Sequence, residues 1–246
     1  MRVGGLPIHA RVSVDFSPTG SPPVVLVHGI GVASRFMVPI TEVLAPYHRI
    51  FAPDLPGFGE SAKPAHVLNV VELTDALADW TRAIGVGSAA FLGNSFGCQI
   101  VVDLAVRYPE LVERAVLQGP TMDPQARTAW QQLGRLLRNS RREPLSHGFI
   151  SAREYPRCGL LRLMKTFRYA LEDRIEEKLP RVRVPALVVR GSKDPIVPQR
   201  WGEEAVRLLP DGRLAVIPGA PHTVVYDAPL ELARVVRPFL SGDQGR

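Results

Sequence analysis

The stretch "AAFLGNSFGCQIVV", residues 89–102, places a serine between two glycines where a strand-like run changes into a helix-like run. Residues 89–92 are typical of the end of a short buried strand, and the apolar spacing after Cys98 predicts a helix that ends before Pro109. Glycines two positions before and after Ser95 allow a sharp backbone turn without a Cβ clash. We therefore predict that Ser95 stands at the tip of a tight turn at a helix N-terminus.

The pattern Gly-x-Ser-x-Gly is short, and a serine beside glycines is also typical of an ordinary turn or a helix N-cap. The strand before Ser95 and the helix after it favour a nucleophilic serine. A nucleophile also needs a base, an acid and donors for an oxyanion elsewhere in the chain. The interpretation of Ser95 therefore depends on the remaining sequence.

Strand signals alternate with helix signals along most of the chain, which predicts an α/β protein with a mostly parallel sheet flanked by helices. Residues 10–16 are predicted to form the first strand. The alternation is interrupted by arginine-rich helical segments after residue 120, roughly residues 124–139 and 155–179, and returns with the strand signal of residues 184–191. We predict a core of residues 1–120 and 184–246. Residues 121–183 form a small helical cap, inserted after the sixth strand, where insertions cover the ligand crevice of a parallel sheet.

The formal charge of +6 is concentrated in the predicted cap. Residues 121–183 contain 14 Arg or Lys and 7 Asp or Glu, a balance of +7, and the remainder of the chain carries −1. We expect this charge to favour anionic or strongly polarised substrates, with Arg153 and Arg157 as candidate ligands of a substrate carboxylate. The alternative is a solvated surface that keeps the protein soluble, and nucleic-acid binding is disfavoured because no recognised motif is present.

Composition limits the class of protein further. Residues 1–14 lack the apolar region of a signal peptide, and the longest apolar runs, such as residues 24–27, are too short to span a bilayer. The two cysteines, Cys98 and Cys158, argue against a disulfide scaffold or a zinc site. We expect a cytoplasmic monomer or homodimer that acts on a small-molecule substrate, with no cofactor, no metal and no nucleic-acid or membrane partner.

A base and an acid are available in the correct part of the chain. Of six histidines, only His222 lies in a loop directly after a late strand, in "VIPGAPHTVVYDAP", where it can reach Ser95. Asp194 lies in the turn after a buried strand, in "VVRGSKDPIVP", and can orient His222. Asp123 is the competing acid, and Asp227 follows His222 too closely and more readily begins the last helix. An Asp-Pro turn is the alternative interpretation of Asp194.

Two backbone amides can bind the negative charge that develops on a carbonyl oxygen. One is the N–H group of Phe96, directly after the serine. The other is the N–H group of Ile30 in "VHGIG", where two glycines allow a tight loop. We interpret His28 as structural in this loop.

The chain order Ser95, Asp194, His222 is the order of the α/β-hydrolases, and the sequence resembles that superfamily over nearly its whole length. "HGIG", "DLPGFGES", "GNSFG", "GSKDPIV" and "GAPHT" carry the resemblance. It implies the α/β-hydrolase fold and a Ser-His-Asp triad, and it places "DLPGFGES" in a loop near the pocket whose Asp54, Gly57 and Gly59 are architectural.

The chain looks most like the small capped serine hydrolases, which implies hydrolysis of a small ester through an acyl-enzyme. "GNS" is similar to the carbon–carbon bond hydrolases of meta-cleavage products, although Cys98 and Thr223 stand where those enzymes tend to have glycine and tryptophan. Cofactor-free haloperoxidases, a lyase with the same triad and a non-enzymatic ligand-binding protein remain open.

Overall fold

A computed structural model of the protein describes residues 1–14, 21–143 and 145–242. The strands are β1 (Arg2–Val3), β2 (Leu6–Pro7), β3 (Ala10–Val12), β4 (Val24–Val27), β5 (Ile50–Pro53), β6 (Ala89–Asn94), β7 (Val112–Gln118), β8 (Ala186–Gly191) and β9 (Gly212–Ile217). Strands β1 and β2 form a separate antiparallel hairpin. The main sheet has the order β3-β5-β4-β6-β7-β8-β9, in which β3 is antiparallel to β5 and every other pair is parallel.

The helices follow the strands in the alternating order that the sequence predicts. They are α1 (Val38–Leu44), α2 (Val70–Ala83), α3 (Phe96–Arg107), α4 (Ala129–Ser140), α5 (Leu145–Cys158), α6 (Leu160–Glu172), α7 (Ile175–Lys178), α8 (Gln199–Leu208), α9 (Val224–Asp227) and α10 (Pro229–Leu240). The predicted first strand, residues 10–16, ends at Val12, and its last two residues lie outside the described part of the chain. The α/β-hydrolase fold expected from the sequence is confirmed.

Strand β4, inside the sheet, is buried on both faces, so it is apolar throughout. Side chains alternate along a strand. Val25 and Val27 of β4 pack into the layer that contains α2, α3 and α8, whereas Val24 and Leu26 pack against α1, α9 and α10. This double burial explains why the β4 sequence shows no polar alternation.

Helices α4, α5, α6 and α7 lie between β7 and β8 in the chain, and we call residues 121–183 the cap. In chain order β7 is the fifth strand of the main sheet, after β3, β4, β5 and β6, so the cap follows the fifth strand and not the sixth. The single helix that the sequence predicted over residues 155–179 is divided. Gly159, with φ +85°, separates α5 from α6, and a left-handed residue ends an α-helix.

The predicted helix over residues 124–139 begins later, at Ala129. Thr128 is its N-cap: the Thr128 hydroxyl accepts the N–H of Gln131, and the Gln131 side chain accepts the N–H of Thr128. No helix in the described part of the chain is long and apolar enough to cross a membrane.

Candidate active site

Ser95 occupies the tight turn that the sequence predicts, between the end of β6 and the start of α3. Its backbone is strained, with φ +54° and ψ −116°. A Cβ on Gly97 would lie 2.3 Å from the carbonyl oxygen of Val27, and a Cβ on Gly93 would lie 2.7 Å from the carbonyl carbon of Gly97. The two glycines are therefore required by close backbone packing, which holds Ser95 in a conformation that costs on the order of 1–3 kcal/mol.

The structure brings Ser95, His222 and Asp194 into one chain of hydrogen bonds. Ser95 Oγ lies 2.9 Å from His222 Nε2, and His222 Nδ1 lies 2.7 Å from Asp194 Oδ2. An ionised carboxylate only accepts hydrogen bonds, so Asp194 fixes the imidazole tautomer with its proton on Nδ1. His222 Nε2 is then the acceptor for the serine hydroxyl.

The loop after β8 fixes the Asp194 carboxylate. Asp194 Oδ1 accepts the N–H groups of Ile196 at 2.7 Å and Val197 at 3.0 Å, which leaves Oδ2 for His222. The buried Arg190 guanidinium donates to the carbonyl oxygens of Val197 at 2.9 Å and Asp194 at 3.2 Å. Arg190 was not predicted as a site residue, although an arginine inside an apolar strand indicates a specific buried partner.

The pKa of His222 is shifted by its surroundings. Burial by itself lowers the pKa of His222, but the charge and hydrogen bond of Asp194, followed by the charges of Glu143 and Asp227, raise it more. The net pKa lies above the ordinary histidine value. The surrounding carboxylates therefore stabilise an imidazolium in this position.

The competing acid does not face the histidine. Asp123 is buried between two guanidinium groups: Arg135 lies 2.7 Å from its carboxylate, and Arg200 also binds it. Asp227 ends α9, whereas the sequence analysis placed it at the start of the last helix, and its carboxylate accepts the hydroxyl of Thr223 at 2.6 Å. Of these three acids, Asp194 is the one that binds the imidazole Nδ1.

Residues that the sequence analysis missed connect three parts of the site. Gln118, at the end of β7, accepts the N–H of Ser95 through its carbonyl at 2.9 Å and donates its amide to the His222 carbonyl at 2.7 Å. Asn139 of the cap accepts the His222 N–H through Oδ1 at 3.1 Å and donates to Glu143 at 2.5 Å. The contacts of Gln118 and Asn139 with Ser95 and His222 span 23 to 104 positions along the chain, so local sequence carries no signal for them.

A cavity of about 340 Å³ lies above Ser95 and His222. The cap contributes much of its lining, including Leu136, Phe167 and Ala170. Ile30 and Phe96, the predicted oxyanion donors, line the same cavity. Phe96 is the first residue of α3, and an α-helix leaves that N–H without an intrahelical acceptor, so it is available to a ligand.

The arginines that were predicted to bind substrate, Arg153 and Arg157, lie outside the cavity. Arg153 and Arg157 are exposed and do not line the cavity, and Arg157 lies 3.9 Å from the Glu154 carboxylate. The cavity lining instead includes the carboxylate of Glu143. Direct contact between either arginine and a ligand at Ser95 has no support in this geometry, because α5 directs both side chains to the surface.

The loops near the cavity are held by polar contacts within the core. His28 is fully buried, its Nε2 accepts the N–H of Leu55 at 3.0 Å, and burial lowers its pKa. Asp54 accepts the N–H groups of Ser34 at 2.7 Å and Glu60 at 2.9 Å. Both residues therefore have the architectural roles expected from the sequence. Among residues 1–14, 21–143 and 145–242, no cluster of three His, Cys, Asp or Glu could hold a metal ion.

Comparison with known proteins agrees with this architecture. The putative carbamate hydrolase RutD of Yersinia enterocolitica is 25% identical over 246 residues, covering 90% of this chain and 88% of that protein. The abhydrolase domain-containing protein abhd-5.2 of Caenorhabditis elegans is 31% identical over 111 residues, and the match covers 42% of this chain and only 25% of that relative. The crystal structure of a membrane phospholipase A superposes with a TM-score of 0.84 at 22% identity, covering 100% of this chain and 86% of that chain, a likeness of fold.

A sequence model described as the alpha/beta hydrolase family matches residues 24–235. The match begins at β4, includes the Ser95 turn, the cap, Asp194 and His222, and ends within α10. Because it covers most of the chain, the protein belongs to the alpha/beta hydrolase family.

Proposed function

We propose that the protein is a serine hydrolase that cleaves a small ester through an acyl-enzyme. The observation that carries this proposal is the continuous chain of hydrogen bonds from Ser95 through His222 to Asp194, at the base of a cavity. A cavity of about 340 Å³ suits a small organic substrate. Family membership supports hydrolysis as the reaction class.

In the acylation step, Ser95 Oγ attacks the ester carbonyl carbon while His222 Nε2 takes the hydroxyl proton. The N–H groups of Ile30 and Phe96 stabilise the oxyanion of the tetrahedral intermediate. Asp194 keeps the imidazole oriented and stabilises its positive charge. The carbon–oxygen bond to the alcohol then breaks, and His222 donates its proton to the departing alcohol.

In the deacylation step, His222 takes a proton from water, and the water oxygen attacks the acyl carbon. Collapse of the second tetrahedral intermediate releases the acid and returns the proton to Ser95 Oγ. The two steps together consume one ester and one water and yield one acid and one alcohol. No external oxidant, reductant or cofactor is needed for this balance.

A panel of p-nitrophenyl esters of increasing acyl length, run beside a vinylogous diketone, tests the proposal. We expect ester hydrolysis that increases with acyl length until the cavity is filled. Cleavage of the diketone without ester hydrolysis would assign carbon–carbon bond hydrolysis instead. Ligand binding without turnover of either substrate would identify a binding protein.

Glu143, after Asp194, is expected to contribute to the pH dependence of this reaction. It accepts hydrogen bonds from Asn139 at 2.5 Å and from the Thr223 hydroxyl at 3.0 Å, and its charge raises the pKa of His222. A base works in its neutral form, so kcat/KM falls as the pH drops through the pKa of His222. Glu143→Gln removes the charge and keeps an oxygen acceptor, so the acidic limb of the profile should move to lower pH.

The matched control is Glu113→Gln, which removes an exposed carboxylate on β7. Profiles of kcat/KM against pH should superpose for this variant and the wild type. The carboxylates of Asp194 and Asp227 also raise the pKa of His222, so the limb should shift and not disappear. An acidic limb that stays in place, or moves to higher pH, in Glu143→Gln would contradict the assigned role.

A further inference from the structure

Exposed apolar side chains are concentrated on the cap. Among the described residues, fifteen large hydrophobic side chains are exposed, and eight of them belong to the cap. Those eight are Trp130, Leu133, Leu136, Leu137, Tyr155, Leu160, Leu161 and Met164. Single exposed hydrophobic residues are normal on a protein surface, but a concentration on one element indicates an interaction surface.

Helix α4 shows how the two sides of the cap differ. Trp130, Leu133 and Leu137 recur at intervals of three and four, so they lie along one exposed side of the helix. Gln132 and Asn139 are buried on the side that packs onto the core. A helix that faced only water would carry polar residues where α4 carries a tryptophan and two leucines.

Helix α6 repeats this arrangement. Leu160, Leu161 and Met164 are all more than half exposed, whereas Thr166 and Ala170 of the same helix are buried. We call Trp130, Leu133 and Leu137 of α4, with Leu160, Leu161 and Met164 of α6, the apolar cap residues. Both helices therefore expose apolar side chains that a partner docked on the cap would contact.

The charges of the cap identify the chemistry of that partner. The exposed cationic residues from α4 to α6, among those that the structure describes, are Arg138, Arg141, Arg142, Arg153, Arg157, Lys165 and Arg168. The exposed acidic residue there is Glu172, which pairs with Arg168. The surface formed by these three helices is therefore strongly basic. A second copy that docked by the same face would oppose two basic surfaces, so an anionic partner fits better.

We propose that the cap docks on an anionic lipid surface. The apolar cap residues enter the boundary between headgroups and acyl chains, and the arginines bind lipid phosphates and carboxylates. Helices with Trp and Leu on one side and Arg on the flanks need no shape-matched groove to bind in this way. With this proposal we depart from the expectation of no membrane partner, which rested on the missing signal-peptide region and on apolar runs too short to span a bilayer.

The cavity reaches the surface beside these residues. Leu136 and Tyr155 line the cavity and are nevertheless 41% and 42% exposed. Leu136 lies on α4 between Leu133 and Leu137 in sequence. Docking therefore presents the cavity to esters with apolar acyl chains that are dissolved in the surface. This substrate class rests on the proposed function, whereas docking itself does not.

Trp130 provides a direct probe of docking. Of the three tryptophans, Trp80 and Trp201 are buried and Trp130 is 83% exposed. The full chain is mixed with phosphatidylcholine vesicles, with and without phosphatidylserine, and both tryptophan emission and co-sedimentation are measured. We expect a blue shift and co-sedimentation with the anionic vesicles, both weakened as ionic strength increases.

Two double variants and one control distinguish docking through the cap from non-specific hydrophobic adsorption. Leu137→Gln combined with Leu161→Gln should lower partitioning onto anionic vesicles by roughly ten-fold or more. Arg138→Gln combined with Arg141→Gln should do the same and reduce the salt dependence. Leu230→Gln, which changes an exposed leucine on α10 outside the cap, should bind as the wild type does.

The same measurements on Ser95→Ala separate docking from turnover. This variant should bind anionic vesicles as the wild type does, because the apolar cap residues and the arginines are unchanged. Absence of binding to anionic vesicles, or equal binding by the wild type and the cap variants, would overturn the proposal. An emission shift with polyglutamate and none with vesicles would identify an acidic protein partner instead. A concentration-dependent dimer that the cap variants abolish would show that a second copy covers this face, which also overturns the proposal.

Discussion

Ser95→Ala is expected to reduce ester hydrolysis by roughly a million-fold in turnover, the loss seen when a serine protease loses its nucleophile. Alanine removes the Oγ that lies 2.9 Å from His222 Nε2, so no acyl-enzyme can form. The fold should persist, because the turn is held by Gly93, Gly97 and the hydrogen bond from the Ser95 N–H to Gln118. Turnover of the best p-nitrophenyl ester and the melting temperature are the two measurements.

Ser241→Ala is the matched control, since this serine lies at the C-terminus of α10, on the exposed surface. It should retain wild-type turnover. A Ser95→Ala enzyme that kept its activity and its melting temperature would show that Ser95 is a turn residue and not a nucleophile.

Asp194→Asn is expected to lower kcat by roughly ten-thousand-fold, as the equivalent change does in a serine protease. An asparagine in this position can offer an N–H group to Nδ1, which favours the tautomer whose Nε2 is protonated and unable to accept the serine proton. The hydrogen bonds from Ile196 and Val197 can still reach the side-chain oxygen, so the loop should keep its shape. Measurements of kcat and melting temperature separate these two effects.

The matched change is Asp123→Asn. Asp123 is paired with Arg135 and Arg200 and has no contact with the imidazole, so kcat should remain near that of the wild type. The melting temperature should fall, because two guanidinium groups would face a neutral side chain. Loss of turnover in Asp123→Asn with near-normal turnover in Asp194→Asn would assign the acid to the end of β7.

The fold was predictable from sequence because its determinants are local. The alternation of apolar strands and amphipathic helices predicts the parallel sheet, and the glycines around Ser95 predict the turn between β6 and α3. Thr128 and Gly159 also carry readable signals, an N-cap and a left-handed residue, and they explain the cap helix ends that the apolar pattern alone missed.

Of the candidate site, the sequence predicted only those residues that lie in characteristic turns after strands. Ser95, Asp194 and His222 each follow a strand, and parallel strands bring their carboxyl ends to one edge of the sheet. Gln118, Asn139 and Glu143 have no such signal, because their roles arise from contacts between distant segments. Arg153 and Arg157 were expected to bind substrate because of their charge. The charge of a residue in the sequence does not show whether α5 directs its side chain toward the cavity or toward the surface.

Reaction with a fluorophosphonate shows whether Ser95 is a nucleophile that His222 and Asp194 activate. The protein is incubated with the probe, and the modified residue is located by tandem mass spectrometry, with His222→Gln and Ser95→Ala as companions. We expect one adduct, on Ser95 Oγ, that forms far more slowly in His222→Gln and is absent in Ser95→Ala. An adduct on another residue, or labelling of Ser95 at the same rate without His222, would show that Ser95 is not the activated nucleophile.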